Sequence, residues 1–203
     1  MRQYLFIILL ILAAGDIYGQ RRAYEPGEIR LKFGLPYVNS FTLHPQNETR
    51  KTQTGWVGLE LGLEYQYSEK SFVSLDYSIN GAAEAFGLLD IEGEFDQFGH
   101  QSLNLSQNNI IGRFSIGYGL SYAHNVWSYT RTLVPDFIPP SRDLVTRRSQ
   151  SLGLILNSYY RLGKTAHIGL IYRPYFLKIS TVTKLDYELV ISLDIIWRFR
   201  IKK

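Results

Sequence analysis

The chain has 203 residues, with 22 Lys and Arg against 18 Asp and Glu and a net charge of +4. It has no Cys, which excludes disulfides, thiolate metal sites and a lipid-modified Cys behind an export signal. The positive charge is not gathered into a basic helix or a basic stretch with stacking aromatics. Nucleic acid is therefore not an expected partner, and anionic lipid or glycolipid head groups are the expected counter-charge.

Residues 1–19 read as a signal peptide. Arg2 supplies a positive start, Leu5 to Ala14 an apolar core, and Ile17-Tyr18-Gly19 a cleavage site before Gln20. The apolar core is shorter than the ~20 residues that a transmembrane helix needs. Residues 20–203 are then one domain, and no other apolar run approaches helix-spanning length. A membrane β-barrel is still allowed, because its apolar residues are interleaved with polar ones.

The mature chain alternates with period two. Ile29, Leu31, Phe33, Leu35 and Tyr37 share one face of a first strand, Glu28 to Tyr37, opposite Arg30, Lys32 and Gly34. His44 to Gln53 is polar, contains Pro45 and reads as a loop. A second strand, Gly55 to Tyr67, sets Val57, Leu59, Leu61, Leu63, Tyr65 and Tyr67 against Gly58, Glu60, Gly62, Glu64 and Gln66. After a tight turn at Ser68-Glu69-Lys70, a third sets Val73, Leu75, Tyr77 and Ile79 against Ser74, Asp76, Ser78 and Asn80. Gly81 to Phe98 reads as a long acidic loop. A fourth strand rests on Leu103 and Leu105, with a turn predicted at Gln107-Asn108-Asn109.

The fifth strand places Ile110, Phe114, Ile116, Tyr118, Leu120 and Tyr122 opposite Arg113, Ser115, Gly117, Gly119, Ser121 and Ala123, and continues through Trp127 and Tyr129. Val134 to Asp143, with three prolines, is a third long loop. The sixth strand carries Leu152, Leu154, Leu156, Tyr160 and Leu162 and turns at Arg161 to Lys164. The seventh carries Ile168, Leu170, Tyr172 and Phe176, and Pro174 predicts a bulge or irregular upper edge. From Leu185 to Ile201 every odd position is apolar and most even ones are charged or polar, which makes a long last strand. The pattern predicts an all-β fold: eight antiparallel strands in a transmembrane up-and-down barrel, with short turns at one end and longer loops at the other.

Residue size and charge orient the two faces. The polar face is rich in small residues (Gly58, Gly62, Ser115, Gly117, Gly119, Ser121) that leave room for large charged neighbours in a narrow eight-stranded interior. The apolar face carries no charge, as hydrocarbon requires, and Tyr65, Tyr67, Tyr122, Trp197 and Phe199 lie near strand ends, where aromatic girdles belong. Arg30, Lys32, Glu60, Glu64, Asp76, Arg113, Arg173, Asp194 and Arg198 are therefore expected inside. With both signs present in so narrow a lumen, a salt-bridged plug is a better reading than an ion-selective pore.

The four histidines, His44, His100, His124 and His167, have no recurrent ligand spacing, so neither a metal nor another cofactor is expected. A lipid A-modifying enzyme, an acyl hydrolase or acyltransferase, is the alternative function. It would draw on His100 with Ser102, or on His124 with Ser128 and Asp136. Neither set forms a motif, and such triads are recognised by geometry. Arg50, Lys51, Arg131, Arg142, Arg147 and Arg148 fall at or near the long loops. They are candidates for lipopolysaccharide phosphates, or else form a solvated fringe.

An export signal, eight strands and the ending Leu193-Asp-Ile-Ile-Trp197-Arg-Phe199-Arg-Ile201 resemble the small OmpA/OmpX-type outer-membrane barrels, above all those abundant in Bacteroidetes. That resemblance implies an outer-membrane location and assembly by the barrel-insertion machinery, with Trp197 and Phe199 as the assembly signal. Ile201-Lys-Lys follows where many members end on an aromatic residue. Such barrels range from structural proteins to adhesins and lipid enzymes, and a small channel is a further alternative for this chain. The expectation is a non-enzymatic, monomeric barrel with a structural or surface-interaction role, in contact with membrane lipid and lipopolysaccharide.

Overall fold

A computed structural model describes residues 24–56, 58–81, 93–133, 141–179 and 183–202, with side chains except at 93–95, 130–133, 141–144 and 202. The expected signal peptide lies outside the described residues. Among the described residues nine β-segments follow one another: β1 (Ile29–Leu43), β2 (Lys51–Trp56), β3 (Gly58–Ser68), β4 (Ser71–Gly81), β5 (Gly93–Ile111), β6 (Phe114–Leu133), β7 (Ser141–Arg161), β8 (Ala166–Ile179) and β9 (Lys184–Lys202). β2 and β3 both pair antiparallel with β1, from β4 onward each pairs antiparallel with the one before it, and β9 closes the ring on β1.

β2 and β3 are two parts of one stave. Gly34 pairs with Glu60 and Val38 with Trp56, four residues further along each strand, so the register carries through unchanged. Pro36, between them on β1, has no N–H to give the ladder. The chain is therefore the eight-stranded antiparallel up-and-down barrel that its alternation predicts.

Against β9, the register of β1 shifts between Pro36 and Val38, leaving Tyr37 as the extra residue of a bulge. Below it Arg30, Lys32 and Gly34 point inward; above it Asn39, Phe41 and Leu43 do. One bulge thus exchanges the two faces and brings apolar side chains into the upper interior. The irregularity predicted at Pro174 is a second bulge, where the register shifts between Tyr175 and Leu177, and it turns Lys178 inward.

Three short turns lie at one end, and the longer connections (44–50, 82–92, 134–140) lie at the other with the short 180–183. Two expectations are corrected here. Gln107-Asn108-Asn109 is not a turn. Asn108 points inward and donates to Ser106 Oγ (3.0 Å) on its own strand, Gln107 points outward and donates to Tyr67 Oη (2.9 Å), and both pair with β4 on one side and β6 on the other, so they belong to the ladder. The turn comes at Gly112, where φ is +63°, a conformation glycine adopts freely. The ladder also reaches further outward than the loops predicted, beginning at Lys51, Gly93 and Ser141. Above the membrane both faces of a strand meet water, so pairing continues where the alternation no longer marks it.

Burial is inverted relative to a soluble barrel. Lys32, Glu60 and Arg173 are at most 1% exposed, whereas Leu63, Leu120 and Leu170 are 51%, 57% and 55% exposed. The outward leucines and isoleucines form a belt bounded by aromatic pairs: Phe33–Trp197 and Phe114–Tyr160 toward the turns, Tyr37–Trp56 and Phe176–Tyr187 toward the loops. That is the surface a bilayer requires.

Candidate functional site

The interior has two tiers. In the tier nearer the turns, alternation on β1, β3 and β4 aims Arg30, Lys32, Glu60, Glu64 and Asp76 inward, and β8 and β9 aim Arg173, Asp194 and Arg198 at them. Lys32 Nζ lies 2.7 Å from Glu60 Oε1 and 2.8 Å from Asp76 Oδ2. Arg173 reaches Glu60 at 3.3 Å and donates to Ser192 Oγ at 3.1 Å. Arg198 Nε donates to Glu64 at 2.7 Å, and Arg30 bonds Gln66 and lies 3.7 Å from Glu64. Aromatic rings fill the gaps: the Arg198 guanidinium lies 5.1 Å from the Phe72 ring and 4.9 Å from that of Tyr159. The Tyr159 ring lies where a Cβ on Gly169 would stand, so that glycine is a packing requirement. Neither carboxylate oxygen of Asp194 has a protein hydrogen-bond partner.

Arg113 does not belong to this network. It follows Gly112 in the β5–β6 turn, is exposed, and reaches Tyr160 Oη at 3.4 Å. The displaced turn accounts for the difference.

In the outer tier a hydrogen-bonded chain leads toward the loops. His100 bonds Asn125 (2.7 Å) and Tyr175 Oη (3.3 Å), and Asn125 donates to Glu188 (2.9 Å). Ser151 and Lys178 also donate to Glu188, at 2.7 and 2.9 Å. Over this chain Phe41, Leu43, Phe98, Ala123, Trp127 and Val190 form an apolar cluster inside the barrel, with Phe41 and Phe98 stacked at 6.3 Å. At the rim His44 Nδ1 lies 2.8 Å from Asp186 Oδ1, and Lys178 bonds the His44 carbonyl. Burial disfavours the ionised Asp186 carboxyl, but its hydrogen bonds from His44 and Lys184 outweigh that and hold it below the usual range.

The residues considered for acyl chemistry are dispersed. His100 and Ser102 share the inward face of β5, but the ring nitrogens of His100 are taken by Asn125 and Tyr175, and Ser102 bonds Ser78 at 2.8 Å. His124 and Ser128 face outward, and four residues along an extended strand separate them by ~13 Å. Asp136 lies outside the described residues. His167 is buried near the β7–β8 turn and bonds the Thr165 carbonyl at 2.7 Å. Among the described residues no three His, Cys, Asp or Glu side chains gather as metal ligands.

Of the basic loop residues, Arg50, Arg147 and Arg148 are exposed, Lys51 pairs with Asp96 at 3.4 Å, and the side chains of Arg131 and Arg142 are outside the described set. Trp197 packs on Phe33 and Phe199 is 46% exposed, both on the lipid-facing side of β9. Sequence reasoning missed Tyr159, Tyr175, Lys178 and Glu188. The first three are inward residues whose apolar bodies or position past a bulge disguised them. Glu188 has the even parity of β9 and was open to detection.

The fold, with ion pairs inside and an apolar belt outside, defines a small barrel of the outer-membrane type. The crystal structure of Ail, the attachment invasion locus protein of Yersinia pestis, is similar over 87% of this chain and 100% of that one, with 15% identity and a TM-score of 0.58. Neisserial surface protein A is similar over 85% of this chain and 97% of that one, with 10% identity and a TM-score of 0.49. OprG of Pseudomonas aeruginosa is similar over 88% and 99%, with 14% identity and a TM-score of 0.44. The likeness to Ail shows the fold alone. No family model and no curated protein matches the sequence.

Proposed function

We propose that the protein is a monomeric integral outer-membrane barrel with a closed lumen, its turns and termini on the periplasmic side, and a structural or surface-interaction role. The observation that carries this reading is the two-tier interior, with paired ions under an apolar cluster. An ion crossing it would have to break buried pairs and then pass Phe41, Phe98 and Trp127. The outward row Gln101–His124–Gln150, with Arg148 above it, lies at the outer limit of the belt and supports contact with lipopolysaccharide phosphates. The exposed aromatic end of β9 supports recognition by the barrel-insertion machinery. Reconstitution in planar bilayers tests the closed lumen. Stable unitary conductance steps from the folded protein would favour a channel instead.

A further inference from the structure

Charge is unevenly shared around the turn end of the barrel. From Gln97 to Pro135 and again from Leu144 to Leu185 the chain contains no Asp or Glu. β6 and β8 therefore carry no acid, and β5 and β7 carry theirs only at their outer ends. The two turns that join these four strands nevertheless hold Arg113, Arg161 and Lys164. The acids of this end stand on the other side of the ring. Glu69 lies in the β3–β4 turn beside Lys70, and Glu25 and Glu28 take Arg200 at 3.6 and 3.8 Å.

The two basic turns touch. Arg161 N donates to the Arg113 carbonyl at 2.9 Å, which sets them side by side. The Arg161 side chain is half-buried, with its guanidinium 5.6 Å from the Tyr24 ring. Arg113 instead reaches along the lipid-facing wall: its guanidinium lies 3.4 Å from Tyr160 Oη, at the Phe114–Tyr160 pair that bounds the belt. Lys164 is exposed in the neighbouring turn, and neither cation is in an ion pair among the described residues. Beside them stand apolar tips, Ile111 at 64% and Leu162 at 39% exposed. Bulk water would penalise such tips. Apolar side chains one or two residues from unpaired cations suit the boundary between acyl chains and phosphates.

We propose that the β5–β6 and β7–β8 turns form a docking site for an anionic phospholipid of the leaflet on the turn side. Arg113 and Lys164 hold its phosphate through charge-assisted hydrogen bonds, and Ile111, Phe114 and Leu162 lie against its acyl chains. A zwitterionic lipid is the poorer occupant, because its own ammonium group already answers the phosphate and is repelled by two unpaired cations. This rests on the reading of the turns as the periplasmic end, and it concerns the end opposite the row offered to lipopolysaccharide.

The test titrates the full barrel in detergent micelles with phosphatidylglycerol or phosphatidylcholine and counts bound lipid by native mass spectrometry. Phosphatidylglycerol should bind more tightly. Arg113→Gln and Lys164→Gln should each weaken it roughly fivefold, with heat-modifiable gel mobility unchanged. Arg113→Lys should retain most of the binding, and Arg147→Gln with Arg148→Gln, at the outer end, should leave it intact. Equal binding of the two lipids overturns the proposal, as does a preference lost with the outer pair but kept without the turn pair. Inorganic phosphate that displaces the lipid better than chloride at equal ionic strength assigns the cations to a free anion and overturns it as well. Such a failure in a barrel that remains non-conducting removes this inference and leaves the closed lumen standing.

Discussion

Replacing Lys32 by Met tests whether the lumen charges are truly buried. The Lys32 ammonium lies within 3 Å of two carboxylates, Glu60 and Asp76, and the side chain is 1% exposed. Were the lumen water-filled, these pairs would behave as surface ones, worth ~0–1 kcal/mol. In a dry interior, removing the shared cation strands Asp76, while Glu60 keeps Arg173, and costs about 3–5 kcal/mol, roughly a hundred- to several-thousand-fold in the folded fraction. Adding Asp76→Asn removes the stranded charge and leaves the Glu60–Arg173 pair intact, and the double variant should recover most of the loss. Reversible urea unfolding in lipid vesicles, followed by tryptophan fluorescence and gel mobility, gives each term. A single-variant loss below ~1 kcal/mol, or a double variant no better than the single, would refute a desolvated network.

Other outcomes follow from the same structure. Leu120→Arg puts a charge on the lipid face and should cost ~2–4 kcal/mol by the same assay; no loss would contradict the belt. Gly169→Ala forces a Cβ into the Tyr159 ring and should cost ~1–3 kcal/mol, whereas Gly99→Ala, whose nearest neighbour is Val126 Cβ at 3.7 Å, should stay within ~0.5 kcal/mol; equal effects would refute the packing argument. Because the Asp186 carboxyl titrates below its unfolded value, its contribution is full above about pH 4 and is lost as pH falls through the folded value. The stability difference between the wild type and Asp186→Asn should therefore shrink on acidification, and a difference that grew would reverse the assignment.

Most of the barrel was legible because lipid and lumen impose opposite demands on alternate residues. The odd positions of β9, Tyr187 to Ile201, face outward without exception and its even ones inward, as the charge of Glu188, Asp194 and Arg198 requires, with Val190 and Ile196 following by parity. Legibility failed where those demands lapse. Near the β5–β6 turn, Asn108 and Asn109 have the composition of a turn yet serve in the ladder, and that error carried Arg113 into the lumen list. Above the belt, water on both sides erases the alternation, which hid the outer parts of β5 and β7. Bulges at Tyr37 and Phe176 reverse parity, so Phe41, Leu43 and Lys178 point the opposite way from a simple count. Charge type could identify the inward acids and bases, and register alone puts Lys32 level with Asp76 across Gly62 on neighbouring staves, but only geometry could pair Arg173 on β8 with Glu60 on β3, since those staves are not neighbours.

The counter-ions of the final two staves are carried by an early one: Arg173 and Arg198 answer to Glu60 and Glu64 on β3. An unclosed intermediate therefore holds ions with no mates, and only the β1–β9 seam brings them together. Ring closure thus completes a neutralisation that the early staves have begun among themselves through Lys32 with Glu60 and Asp76. The same dependence bears on the circumference, because a wider bore would draw Arg173 on β8 out of reach of Glu60 on β3, while Lys32 on the adjacent stave kept its hold.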